Sequence, residues 1–136
     1  GRDVDPASNR LGGIQLGLFD VSDASQPKSL ATLVVGASGS QTALDASSHG
    51  INWLQSGNVA RIGLPMIITA APGDPSPQHG LQRIEVDTQA QSLALKSLLP
   101  APAGSMTYPS LWGERSLQIG SKLVYLTGGQ LVVADW

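Results

Sequence analysis

The sequence predicts an all-β protein built from short antiparallel strands, and three observations support this fold class. Apolar residues recur with a period of two, as in the run Ile14 to Phe19. Short glycine turns such as Gly120-Ser121 and Gly128-Gly129 separate neighbouring runs by the distance that a hairpin requires. Proline clusters interrupt the chain before a long amphipathic helix can form.

Each strand is predicted from one apolar run bounded by turn residues. We expect about nine strands, over residues 14–19, 30–35, 51–54, 59–66, 81–86, 93–99, 117–119, 123–126 and 131–134. A helix is the alternative for 92–99. Residues 1–13 mix Asp, Pro, Ser, Asn and Gly without a period and are predicted to be an N-terminal arm or linker, leaving 14–136 as the domain. The centres of the runs should be buried, namely Leu16, Leu18, Val34, Ile62, Ile84, Val86, Ile119, Leu123 and Tyr125.

Composition excludes several functions. The chain is 41% hydrophobic, which is enough for a core, and only 13% charged with a net charge of −2. The eight basic residues are scattered, so we expect neither nucleic acid nor an anionic membrane as a partner. There is no cysteine, and no apolar run is long enough to cross a bilayer, so membrane insertion is not predicted.

A weak internal repeat favours a propeller over a sandwich. Residues 19–22 resemble 84–87 and 132–135, each an apolar strand end followed by a polar turn residue. The offsets suit a blade period of about 40–50 residues with one long insertion. The strands then fit a partial β-propeller of about two blades plus a half-blade: the third and fourth strands of one blade, four of the next, and the first three of another.

This strand count leaves sheets incomplete at both ends. We therefore expect open strand edges that bind another protein or a second copy of the chain. Because the sequence has no initiating Met and no signal peptide, we also expect it to be part of a longer protein.

Several segments carry a resemblance to a known family. They are 13–23, Pro27, His49, Leu64-Pro65, 115–120 and 123–125. In order and spacing they resemble the last section of secreted proteins with a C-terminal β-propeller distantly related to WD repeats. The resemblance implies an exported, propeller-shaped protein, secreted or held in the periplasm or cell envelope, with no agreed catalytic residues to transfer. No cofactor is predicted.

Two loops contain residue types that carry chemistry. Asp20 and Asp23 are candidate calcium ligands, although Asx turns explain the same residues and no EF-hand pattern is present. Ser40, Asp45 and His49 are the residue types of a hydrolase triad, but they fall in one loop without a nucleophile elbow. The sequence predicts no metal or catalytic site from them.

The remaining candidates are a histidine and the aromatic residues. His79, between Gln78 and Gly80, is predicted to be an exposed loop residue. Among the aromatics, Trp53 and Tyr125 are predicted to be core, and Trp112 is the ligand-binding candidate because Pro and Gly neighbours place it on the surface. The other aromatics considered for such a platform are Tyr108 and Trp136.

Three functions remain open. The preferred one is a non-catalytic interaction or scaffold module of an exported protein. The alternatives are part of a secreted hydrolase whose active site is completed by blades absent from this chain, and a calcium-stabilised adhesion domain. Convergence of the acidic and histidine side chains in one cleft would favour the hydrolase; those residues are Asp20, Asp23, Asp45, His49 and Glu114.

Overall fold

The computed structural model describes residues 1–105 and 111–136, and its strands form three antiparallel sheets. The N-terminal sheet contains β1 (Arg2–Asp5), β2 (Arg10–Asp20) and β3 (Lys28–Val35). The central sheet contains β4 (Gln41–Thr42), β5 (Asn52–Ser56), β6 (Val59–Ile68), β7 (Gln78–Asp87), β8 (Ser92–Leu95) and β9 (Leu99–Pro100). The C-terminal sheet contains β10 (Arg115–Ile119), β11 (Lys122–Thr127) and β12 (Gln130–Asp135).

The central sheet is built around one long strand pair. β6 and β7 pair along their full lengths, from Val59 opposite Asp87 to Ile68 opposite Gln78. β4 and β5 pair with different parts of the free edge of β6, and β8 and β9 do the same on β7. The sheet is therefore four strand positions wide, although six segments contribute to it.

The three sheets stack face to face in chain order, because alternate residues of β6 and β7 point to opposite faces of the central sheet. On one face, Leu64, Met66 and Ile84 pack with Ile14 and Val35 of the N-terminal sheet. On the other face, a second core joins the central and C-terminal sheets through Leu81, Leu123 and Tyr125.

The last two strands of the C-terminal sheet are joined by a two-residue turn that only glycine adopts easily. Thr127 pairs with Gln130, which leaves only Gly128 and Gly129 in the turn, with φ of 54° and 75°. Two consecutive positive φ angles match the twist of the flanking strands, and residues with a Cβ adopt them only at a cost.

The all-β antiparallel class is confirmed, and the helix alternative for 92–99 is wrong because Ser92–Leu95 pairs with β7 as a strand. Three short strands were not expected: β1, β4 and β9. Within the segment predicted to be an arm, Arg2–Asp5 pairs with the start of β2. Backbone hydrogen bonds form that ladder without the apolar alternation on which the prediction depended.

Burial confirms some predicted core positions and corrects others. Ile84, Val86, Leu123 and Tyr125 are buried, whereas Leu16, Leu18 and Ile62 are only partly buried. Val34 and Ile119 were predicted to be buried, but they are 42% and 62% exposed. Each lies on a sheet face that no sheet of the described residues covers. Their strands were therefore predicted correctly, but the buried face of each strand was not.

We expect Ile84→Ala to lower the free energy of unfolding by about 2–5 kcal/mol, because the side chain fills the core between two sheets and little can collapse into the cavity. Ile119→Ala is the matched control, since the same side chain is exposed there, and it should cost less than about half a kcal/mol. Urea unfolding followed by circular dichroism measures both. Equal losses for the two variants would contradict the strand phasing.

Candidate functional site

A buried polar cluster lies between the central and C-terminal sheets; we call His79, Glu114, Tyr125 and Thr127 the inter-sheet polar cluster. The Nε2 atom of His79 lies 2.7 Å from Oε1 of Glu114, and the Thr127 hydroxyl donates to the same oxygen at 2.8 Å. The Tyr125 hydroxyl donates to Oε2. The side chains of His79 and Glu114 are only 8% and 7% exposed. The Glu114 carboxylate is thus satisfied by three protein donors away from water.

Strand alternation places these side chains together. β7 begins at Gln78, so His79 shares the face of Leu81, which packs against the C-terminal sheet. On β11, Tyr125 and Thr127 share one face for the same reason. Glu114 directly precedes β10, after a 3₁₀ turn at Leu111–Gly113.

The prediction of His79 as an exposed loop histidine is therefore wrong. It depended on a strand starting at Leu81, whereas the ladder extends to the pairing of Ile68 with Gln78. Extending the alternation of Leu81 back by two residues would have placed His79 on the inward face. No sequence signal identified Glu114 as its partner, because the pairing is set by the stacking of two sheets.

The hydrogen bonds determine the protonation of the cluster. Burial alone would raise the pKa of Glu114, but the bonds from His79, Tyr125 and Thr127 outweigh it and hold that pKa below the ordinary glutamate value. Burial, followed by the bond to Glu114, raises the pKa of the Tyr125 hydroxyl well above its ordinary value. An ionised Glu114 requires a proton on Nε2 of His79, because two acceptors do not bond each other.

The cluster contains acid and base groups, but its contacts are those of a structural link between the central and C-terminal sheets. Both carboxylate oxygens of Glu114 accept hydrogen bonds, and the burial of the His79 and Glu114 side chains leaves no access for a substrate. Among the described residues, Nδ1 of His79 finds no hydrogen-bond partner. The cluster therefore links β7, the start of β10 and β11.

Further polar contacts connect the central and C-terminal sheets along the same interface. Ser116 Oγ donates to the Gly63 carbonyl and Gln118 Nε2 to the Arg61 carbonyl, so β10 is bonded to the backbone of β6. The Trp136 indole donates to Glu85 at 2.9 Å, and the Arg61 guanidinium lies 5.4 Å from the centre of its ring. The C-terminal sheet is thus held by polar groups along its length.

The calcium candidates lie in Asx turns. Oδ1 of Asp20 accepts from the Ser22 backbone at 2.9 Å, and Oδ1 of Asp23 accepts from the Ser25 backbone at 3.0 Å and from its hydroxyl. These bonds lower the pKa of both carboxyls. Asp87 accepts in the same way from Gln89 and Ala90 at the end of β7. Over residues 1–105 and 111–136, no three His, Asp or Glu side chains are grouped to hold a metal ion.

The triad residue types are near in sequence but do not assemble. Ser40 Oγ pairs with Thr69, and Asp45 accepts from Arg2 and from the Thr42 backbone. His49 Nδ1 faces Ser47 at 3.4 Å. The five side chains whose convergence would have favoured a hydrolase therefore do not share a cleft. Of Asp20, Asp23, Asp45, His49 and Glu114, only Glu114 belongs to the inter-sheet polar cluster.

Two of the described tryptophans are exposed. Trp112 lies in the 3₁₀ turn before β10 and is 67% exposed, which agrees with its predicted surface position. Trp53 was predicted to be core, but it lies on β5 with 62% of its surface exposed, so that prediction is wrong. Tyr125 is fully buried, as predicted. Tyr108 lies outside the described residues.

A cavity of about 270 Å³ opens beside β1, lined by Arg2, Leu11, Gly12 and residues 38–41. The Arg2 guanidinium already bonds the Ser40 carbonyl and Asp45, so its charge is compensated. In the part of the chain that the structure describes, no helix has the length and apolar character to span a membrane.

Three antiparallel sheets that stack in chain order define this chain as a set of β-propeller blades. A family model for the beta propeller domain matches residues 1–136, and the chain belongs to that family. The partial-propeller prediction is thereby confirmed, and membership indicates a protein-interaction module in general terms. Comparisons with curated proteins and with solved structures find no match.

We expect Tyr125→Phe to lower the free energy of unfolding by about 1.5–3 kcal/mol, because it removes a hydrogen bond to a buried carboxylate and leaves the ring in place. Thermal or urea unfolding of the variant measures the loss. Tyr125→Phe in a Glu114→Gln background should cost much less, since the charged acceptor is gone. A full additive loss in the double variant would contradict the coupling.

The free energy of unfolding should also fall in acid, because the Glu114 carboxylate becomes protonated. Its pKa is lowered in the folded state, so the stabilisation is present above the unfolded value of about 4.3 and is lost as pH falls through the lower folded value. Urea unfolding between pH 7 and pH 2 measures this slope. Glu114→Gln should be less stable at neutral pH and show a shallower acid dependence. Asp135→Asn removes an exposed carboxylate as the control and should leave the slope almost unchanged.

Proposed function

We propose that this chain is a non-catalytic interaction or scaffold module of an exported protein, secreted or held in the periplasm or cell envelope. The observation that carries the proposal is a contrast between buried polar groups and exposed apolar ones. The His79 and Glu114 side chains, which come together as a possible base and acid, are buried and fully engaged in hydrogen bonds between sheets. Large apolar side chains, by contrast, are exposed both on strands and in turns, as at Phe19, Trp112 and Leu131.

Trp112 is the proposed contact residue on the loop surface. Its ring is largely exposed in a short turn, and the backbone of that turn is held by Arg115, whose guanidinium donates to the Trp112 carbonyl at 3.0 Å. A large aromatic side chain on a fixed turn loses little conformational entropy on binding and commonly dominates an interface.

The exported setting is supported by the resemblance of the strand and turn segments to secreted propeller proteins. The absence of cysteine and the low charge are compatible with that setting, but they do not distinguish it from other compartments. Export of the parent protein is tested by fractionation of its native host, with the protein expected outside the cytoplasm.

Trp112→Ala should weaken partner binding by about 30-fold or more if it is a central contact. The immobilised 136-residue chain is exposed to a native envelope extract, saturable partners are identified by mass spectrometry, and their affinities are then measured with purified proteins. Trp53→Ala is the matched control, because it removes a similarly exposed tryptophan, 62% against 67% for Trp112.

A partner that binds both variants equally would contradict the role of Trp112. Hydrolysis of an ester, peptide or glycoside by the purified chain, abolished by His79→Gln in a folded variant, would contradict the non-catalytic function.

A further inference from the structure

The cavity of about 270 Å³ beside β1 lies where the N-terminal sheet meets the first strand of the central sheet. One wall is the pair of β1 and β2, with Arg2, Leu11 and Gly12. The other wall is formed by residues 38–41, which lead from β3 into β4. We call this space the Arg2 cavity. Both walls come from two neighbouring sheets of one chain, so the cavity requires neither a second copy nor a further sheet.

The side chain of Arg2 points from β1 toward the central sheet. Arg2 pairs with Ile14, and residues directly opposite each other on two strands share a face. Ile14 is buried in the core between the N-terminal and central sheets. The register shifts between Arg2 and Val4, and a bulge of this kind commonly redirects a side chain. Arg2 therefore reaches the opposite wall, where its guanidinium donates to the Ser40 carbonyl.

Hydrogen bonds to Thr69 fix that opposite wall. The Ser40 hydroxyl pairs with the Thr69 hydroxyl at 3.0 Å and accepts from the Thr69 backbone at 3.1 Å. The Thr69 hydroxyl also lies 3.2 Å from the carbonyl oxygens of Ala37 and Ser38. Gly39 completes the turn with a φ of 98°, which a residue with a Cβ rarely adopts. The cavity is thus formed before any ligand enters, as small-molecule sites usually are.

The charge of Arg2 is compensated within the protein. Its guanidinium donates to Oδ2 of Asp45 at 2.8 Å, and the Thr42 backbone holds the same oxygen at 2.8 Å. Among the described residues that line the cavity, Arg2 alone is charged. An anionic ligand would therefore meet a guanidinium that already has a carboxylate partner. This arrangement favours a neutral ligand.

The Arg2 cavity contains both donors and acceptors of hydrogen bonds. The Arg2 side chain is 30% exposed, and its fork has more N–H groups than the bonds to Ser40 and Asp45 use. The Ser38 hydroxyl and the Gln41 amide can each donate and accept.

Leu11 adds an apolar surface to the cavity, with 59% of the residue exposed. A sugar ring matches this combination of groups, because its hydroxyls both donate and accept and its C–H groups contact apolar side chains.

We propose that the Arg2 cavity binds a small neutral hydroxylated ligand, a single sugar ring that is either free or at the end of a glycan. Arg2 and Gln41 hydrogen-bond its hydroxyls, and Leu11 contacts its C–H groups. The cavity volume lies just below the range of about 300–1,000 Å³ that holds drug-sized ligands, which suits one ring. The proposal goes beyond the interaction function, because it concerns a site other than Trp112 and does not depend on that residue.

The direction of β1 keeps the cavity open in a longer chain. The Gly1 amino group donates to the Gln15 carbonyl at 3.0 Å, and the Gln15 N–H donates to the Gly1 carbonyl at 3.0 Å. Because β1 and β2 are antiparallel, a continuation of β1 beyond Gly1 follows β2 toward Asp20 and away from Leu11. A test on the 136-residue chain therefore applies to a longer protein as well.

Backbone amide NMR of the labelled chain tests the proposal. D-Glucose, D-galactose and D-mannose are titrated separately to about 50 mM, since a ligand of this size binds in the millimolar range. At least one hexose should shift the amide signals of Gly12, Gly39 and Gln41 in a saturable way. Arg2→Gln and Gln41→Ala should each raise its dissociation constant by about fivefold or more. Arg10→Gln is the matched control, because it removes an arginine of the same sheet outside the cavity, and binding should persist.

Gln41→Ala separates binding from the structural role of Arg2, because Gln41 is exposed and its change leaves the bonds of Arg2 in place. Circular dichroism checks that each variant is folded, and Gln41→Ala decides the test if Arg2→Gln is not. Hexose binding that Gln41→Ala leaves unchanged would overturn the proposed site.

Two further ligands define the chemistry. D-Glucuronate carries a carboxylate where glucose has a hydroxymethyl group, and it should bind no more tightly than glucose; tighter binding would overturn the neutral class. The methyl glycoside of the hexose that binds identifies the source. Equal binding supports the terminal sugar of a glycan, and loss of binding supports a free monosaccharide.

The absence of a saturable shift at the cavity with all three hexoses would overturn the proposal. Partner binding through Trp112 is measured on a different surface and would still support the interaction function, so the two proposals fail separately.

Discussion

The rest of the structure depends on the burial of the central sheet on both faces. Because β6 and β7 pair along ten residues, one strand pair contributes alternate side chains to two separate cores. A slip of one residue in this register would exchange Ile84 with Arg83 and bring a guanidinium into the apolar core with the N-terminal sheet. The register is therefore fixed from both sides at once, and the outer sheets take their positions from it.

The two interfaces of the central sheet are stabilised by different kinds of interaction. The core shared with the N-terminal sheet contains branched aliphatic side chains and Met66. The other interface combines Leu81 and Leu123 with the inter-sheet polar cluster, where the buried Glu114 carboxylate accepts hydrogen bonds from His79, Tyr125 and Thr127. Apolar contacts tolerate small displacements, whereas a carboxylate with three fixed donors permits one arrangement. Burial of a carboxylate costs desolvation, and removal of one of its donors leaves part of that cost uncompensated.

Local patterns predicted the strands well, because a period of two and a glycine turn are properties of neighbouring residues. The hairpin from β10 to β12 follows directly from them. They could not predict which side of a strand is covered: Val34, Ile119 and Trp53 lie in strands, but their side chains are exposed. β4 and β9 pair through two residues each, too few for any alternation. The pairing of His79 with Glu114 joins residues 35 positions apart, and it exists only after two sheets have stacked.

The absence of a side chain at Gly63 sets how closely the central and C-terminal sheets approach near β10. A Cβ at this position would lie 2.8 Å from Ser116 Oγ. The same Ser116 hydroxyl donates to the Gly63 carbonyl, so the space that the glycine leaves is used for a hydrogen bond between the two sheets. A larger residue at position 63 would displace Ser116 and break this bond, and β10 would then lose one of its contacts with the backbone of β6. The spacing of two sheets in this fold thus depends on one residue that has no side chain.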